Sequence, residues 1–97
     1  MRFLTLEDFQ PHVGTVFVGQ LADSEVPFQL VEVQPLQSSA GAQQYRQPFS
    51  LVFRNESAVL FPQQIYSMRH PGMGEQAIFV VPVARDASGF LYQAVFN

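Results

Sequence analysis

Two histidines, His12 and His70, and eight acidic residues are the side chains that acid–base or metal chemistry would draw on in this chain. Hydrolytic work needs a nucleophile or a second carboxylate beside a histidine whose other nitrogen has a defined partner. Neither histidine has such company in sequence: His12 follows Pro11, and His70 precedes Pro71. A lone histidine at a turn is more often a hydrogen-bonded structural residue than a catalyst. If the two meet in space, Glu32 is the candidate third member of a metal set. The spacings lend that set no support, because the chain has no HxH, no HExxH and no Asp-rich calcium loop. Gly72-Met73-Gly74 is like a phosphate-binding loop only superficially, lacking the lysine and the strand-to-helix setting. No catalytic residue, metal or cofactor is expected.

The remaining candidates are contacts. Glu32 lies between Val31 and Val33, where a bulge can turn it inward toward an arginine such as Arg54; the plainer reading is a structural ion pair or an exposed edge. Tyr66, His70, Tyr92 and Glu32 form a candidate ligand set at the mouth of a barrel. Val18 and Val95 are candidate partner contacts on its outer face.

These residues are positioned by short strands. The run from Glu75 to Arg85 and the run from Phe90 to Asn97 are joined by Asp86-Ala87-Ser88-Gly89, a hairpin signal ending in a glycine. Alternation places Phe90, Tyr92, Ala94 and Phe96 inward, and Ala77, Phe79, Val81 and Val83 inward on the preceding strand. A hairpin so rich in aromatic surface needs the rest of the chain to cover it.

Thr5 followed by Asp8 is a helix-start pattern, and Pro11 and Gly14 keep that helix short. Phe3, Leu6 and Phe9 make it a plug over one end of the sheet. Thr15–Ala22 is a strand with Phe17, Gly19 and Leu21 inward. The next strand, Phe28–Gln34, breaks its alternation near Leu30, as a bulge would. Residues 35–44 are small and polar and read as a mobile loop. Phe49, Leu51 and Phe53 point inward from a strand at 47–55. Val59, Leu60 and Phe61 are expected to fold back onto the core, and Tyr66, Met68 and His70 share one phase of a further strand. The expected architecture is all-β: an antiparallel barrel or tight two-sheet roll of about six strands, one domain over 1–97, with a helical cap at 3–14.

Composition narrows the function classes. Ten Phe and three Tyr supply a core without any cysteine, so disulfides and thiolate metal sites are excluded. Five scattered Arg and no Lys, with a net charge of −3, are unlike a nucleic-acid surface. No apolar run approaches the roughly 18–20 residues of a membrane-spanning helix. The acidic N-terminal stretch is unlike a signal peptide, so a cytoplasmic location is expected.

Taken together, LTLEDFQPHVG, LVEVQPL, PFSLVFR, IYSMRHPGMGE, FVVPV and YQAVFN resemble an uncharacterised family of small bacterial proteins known only as a domain of unknown function. The resemblance runs over nearly the whole chain and implies a single-domain protein. It brings no activity, catalytic residue or cofactor, and a loose link to phage-tail-collar-like proteins. The reading that follows is a non-enzymatic interaction or assembly module, accessory to a phage-tail-like or surface-fibre system. The alternative is a small-molecule-binding barrel with its site near Tyr66, His70 and Tyr92. A cavity of roughly 300 Å³ or more favours the alternative, a packed interior the module. Val16, Val18, Val52, Ile78, Val80, Leu91 and Val95 are expected on the outer phase, where they favour a protein partner or self-association, most simply a homodimer.

Overall fold

The computed structural model describes residues 4–37 and 47–97. Phe3 and residues 38–44 of the expected polar loop lie outside the described residues.

Each strand pairs antiparallel with its neighbours: β1 (Val16–Leu21), β2 (Ser24–Pro35), β3 (Phe49–Asn55), β4 (Gln64–His70), β5 (Gly74–Asp86) and β6 (Gly89–Phe96). They close in the order β1-β2-β3-β6-β5-β4, with β4 returning to β1. The barrel expectation is met. Closure is thinnest at the β1–β4 seam, where only Val18↔Arg69 and Gly19↔Met68 pair. Gly19 is required beside that seam, since a Cβ there would lie 2.9 Å from the Phe28 ring.

The interior is filled by side chains from every strand. Phe17, Phe28, Leu30, Leu51, Phe53, Tyr66, Met68, Ile78, Val80, Tyr92 and Ala94 are all at or near zero exposure. Aromatic rings meet edge-on across the barrel, Phe17 with Phe53 at 5.7 Å and Phe28 with Tyr92 at 5.4 Å. Such contacts each add about 0.5–1.5 kcal/mol to the burial itself.

One end is plugged by α1 (Leu6–Phe9) and the 3₁₀ turn Gln10–His12. Thr5 and Asp8 start the helix as the sequence pattern requires: the Asp8 carboxylate accepts from the Thr5 backbone N–H at 2.8 Å and from its hydroxyl at 3.1 Å. Phe9 is fully buried and touches the rings of Phe17, Phe49 and Phe96 at 6.1, 5.8 and 5.6 Å.

Two bulges set the strand phases. In β2 the register shifts between Leu30 and Glu32, so Val31 is the extra residue, as the broken alternation suggested. In β5 it shifts between Pro82 and Ala84, leaving Val83 extra. This second bulge overturns the expected phase of β5. Tyr92 faces inward opposite Pro82, so Val80 and Ile78 follow it into the core, and Phe79 and Val83 stand half-exposed outside. Ile78 and Val80 therefore leave the proposed outer face, and Ala77, Phe79, Val81 and Val83 leave the inner one.

Two boundaries also move. β2 begins at Ser24 rather than after Pro27, because a two-residue turn with Ala22 at φ +52° closes the β1–β2 hairpin earlier. Pro27 is tolerated because it pairs with Val18 at a point the β2–β3 ladder, which starts at Gln29, does not reach. The connection 56–63 packs only Phe61 on the core; Val59 and Leu60 are exposed.

Candidate functional site

The 3₁₀ turn carries His12 over the end of β4, and the two histidine rings meet edge-on with centroids 4.5 Å apart. Phe17 stacks on the His70 ring at 4.3 Å, and the residue is 8 % exposed. Gly72 makes the close fit possible: a Cβ there would sit 2.7 Å from His12 Cε1.

Hydrogen bonds fix the state of His70. The Gly72 N–H donates to Nδ1 at 2.9 Å, so that nitrogen carries no proton. The Thr15 hydroxyl donates to the His12 carbonyl at 2.5 Å and therefore accepts from His70 Nε2–H at 2.9 Å. Neutral His70 is thus held as the Nε2–H tautomer. Burial pushes its pKa below the ordinary histidine value, and the neighbouring His12 pushes in the same direction.

That geometry bears on chemistry. A histidine that activates a hydroxyl must accept the hydroxyl proton and be oriented through its other N–H. Here both roles are reversed, so Thr15 and His70 do not form a nucleophile–base pair. Both ring nitrogens are also engaged, and the described residues contain no cluster of three or more histidine and acidic side chains able to hold a metal ion.

Glu32 does not join the histidines. It is exposed on the outer side of β2, accepting from Gln34 Nε2 at 2.7 Å. Arg54 turns instead to Asp86 at 2.7 Å. That hydrogen bond, helped by the Ser88 backbone N–H, holds the Asp86 carboxyl below the usual aspartate value. The inward turn of Glu32 toward Arg54 is overturned, because the extra residue Val31 rotates Glu32 to the outside.

Tyr66 and Tyr92 do not line a mouth with His70. Tyr66 lies near the start of β4 and His70 at its finish, about 13 Å apart along the strand. At the tyrosine end, Tyr66 Oη donates to the Pro62 carbonyl at 2.6 Å and Tyr92 Oη accepts from the Phe61 N–H at 2.9 Å. Both rings are fully buried, and burial, then the nearby Tyr92, raises the Tyr66 pKa. Two clefts open at the surface of the histidine end. One of about 300 Å³ is lined by Glu7, Asp8, His12, Gly72 and Met73 among others. The other, about 450 Å³, lies over Val18, Arg69, His70, Pro71, Gly74 and Glu75. Both clefts reach the size of a ligand cavity but lie at the surface, whereas the space enclosed by the strands holds buried side chains from all six.

The outer surface of β4–β6 carries the second feature. Ile65 pairs with Phe79, and they are 64 % and 50 % exposed. Continuing the Val81↔Gln93 register by two residues brings Val95, 51 % exposed, beside Phe79. Ser67, Ala77, Val81 and Gln93 complete an uncharged surface around this row. Val18, half-buried, lies on the outer face at the far end of β4, opposite Arg69, and is not part of the row. Sequence alternation found Val95 but missed Ile65 and Phe79. Thr15 carried no signal of this role, and Gly72 stood out only as part of a glycine-rich stretch; their roles come from the close approach of His12 to His70.

Fold and surface together define a small all-β domain: a filled antiparallel barrel with a helical plug. Its family can then be stated. The chain belongs to the family described as a domain of unknown function (DUF6916), whose model matches residues 4–96. No curated protein and no solved structure matches the chain. Among the described residues, no helix is long and apolar enough to cross a membrane.

Proposed function

We propose that this chain is a non-enzymatic assembly module that associates with a second copy of itself through the outer face of β4–β6. The observation that carries the reading is the exposed pair Ile65↔Phe79 on β4 and β5, with exposed Val95 on the same outer face of the adjoining β6, all at least half exposed and uncharged. Isolated exposed apolar residues are ordinary, but a contiguous row on neighbouring strands is what a partner would cover. A two-fold interface uses the same patch on both copies, residue i meeting j and j meeting i, so an uncharged apolar row can cover itself without burying an unpaired charge. The residues around this row carry none. Self-association also suits the tail-like or surface-fibre setting that the sequence resemblance implies, where copies of one small domain are brought side by side.

Light scattering after size exclusion at micromolar concentration tests this. A dimer is expected for the native chain and a monomer for Phe79→Glu, whose half-exposed position spares the core. A native monomer whose elution Phe79→Glu leaves unchanged would overturn the reading.

A further inference from the structure

Three segments meet at His70: the cap through His12, the residue leading into β1 through Thr15, and the turn Pro71–Gly74 through Gly72. The connections are all made to one imidazole in one protonation state. We propose that His70 is a proton-operated latch, closed when neutral, whose protonation releases the Gly72 amide and unseats the His12 ring packed against it. The Met73 N–H, which donates to the His70 carbonyl at 3.2 Å, keeps the turn itself closed.

The argument rests on donors and acceptors. Among the described residues, Nδ1 is the acceptor that takes the Gly72 N–H, at 2.9 Å. Adding a proton there sets one N–H against another, and the bond is lost rather than weakened. The Thr15 side cannot compensate. Its hydroxyl already donates to the His12 carbonyl, and the bond it accepts from Nε2–H, although strengthened by the positive charge, supplies no acceptor for the Gly72 N–H. The His12 ring, packed edge-on 4.5 Å away and against Gly72, loses its close seat when the Gly72 amide is released. The barrel does not depend on this bond, since β4 and β5 pair from His70↔Gly74 through Gln64↔Val80.

Charged and titratable groups face this cluster from each side. Arg69 and Glu75 line the same cleft as His70, from β4 and β5, and Arg69 is tied to Glu25. Glu7 and Asp8 of α1 line the cleft that contains His12, and Asp8 is engaged by Thr5. His12 is the closest and shares the sign that His70 would acquire, so it acts against a proton on His70. Burial against Phe17 acts in the same direction, and the latch holds down to pH values below those at which an ordinary histidine charges.

The experiment is a pH titration of the native chain by nitrogen-15 NMR, reading the His70 ring nitrogens and the exchange of backbone amides. At neutral pH His70 is expected as the Nε2–H tautomer. As it protonates, exchange of the Gly72 amide, corrected for its intrinsic pH dependence, should accelerate by about tenfold or more while Leu51 and Phe53 stay protected. An Nδ1–H tautomer at neutral pH, or Gly72 protection unchanged after His70 has charged, would overturn the proposal. His70→Asn offers a side-chain carbonyl to Gly72 and has no proton to gain. Its Gly72 exchange should be flat with pH, and a persisting acid-induced release would assign the effect to another group and sink the latch.

Discussion

The barrel is closed at its two ends by different chemistry. At the cap end, a phenylalanine plug fills the mouth, and an imidazole in a single tautomer ties the plug to the sheet. At the other end, a loop is drawn across the mouth by two phenol groups that meet backbone atoms of Phe61 and Pro62. Phenols keep their proton throughout the physiological range, whereas an imidazole does not. One end is therefore fixed, and the other can respond to its surroundings.

The largest test of this contrast is Phe9→Ala. Phe9 is fully buried against three rings, and its loss leaves a cavity under the cap, with an expected cost of about 3–5 kcal/mol. Denaturant titration measures it. A cost near that of a surface change would show that the cap is not a plug. Tyr92→Phe at the opposite end should cost less, about 1–2 kcal/mol, because it removes one acceptor and leaves the Phe61 N–H unpaired.

The ends should also separate along the pH axis. His70 has a folded value below the ordinary 6.5, so the unfolded chain takes up the proton first. Its contribution to stability is complete above that ordinary value and falls as pH drops from there through the lowered folded value. Tyr66 runs the other way: raised above 10.0, it contributes fully below that value and loses its contribution as pH climbs toward the folded one. Thermal melts across pH should show His70→Asn flattening the acid limb alone and Tyr66→Phe the alkaline limb alone. A mutation that flattens both limbs would merge the two ends into one unit.

How much of this was legible in the sequence depended on whether alternation was broken or hidden. The β2 bulge was visible because Leu30, Val31 and Val33 upset a polar–apolar rhythm. The β5 bulge was invisible, because Ile78 to Val83 is apolar on both phases and either register buries a plausible set. Reading back from the Asp86–Gly89 turn without the extra Val83 sends Phe79 inward, which is the error made. The Phe9 plug and the Thr5–Asp8 cap were legible because short helices advertise their ends. The histidine cluster was not, since it joins residues 58 positions apart through a carbonyl, a hydroxyl and the absence of a Cβ at Gly72. Pattern reading sees side-chain polarity and has no access to such contacts.

The smallest expected effect sharpens the description of the tyrosine end. Val59 and Leu60 were expected to fold onto the core, yet they are 59 % and 55 % exposed, while Phe61 beside them packs inward. If the loop is held by its backbone and by Phe61, its two exposed apolar side chains add little. The Asn55 carboxamide accepting from the Ser57 N–H at 2.8 Å, the Ser57 hydroxyl accepting from the Val59 N–H at 3.0 Å, and the Tyr92 and Tyr66 hydroxyls hold the backbone throughout its course. None of these bonds involves the side chain of Val59 or Leu60. Val59→Ser and Leu60→Ser should therefore each change stability by under about 0.5 kcal/mol, as surface substitutions do. A loss above about 2 kcal/mol from either one would mean that the loop closes its end by apolar packing, as the plug does, and the contrast between the two ends would disappear.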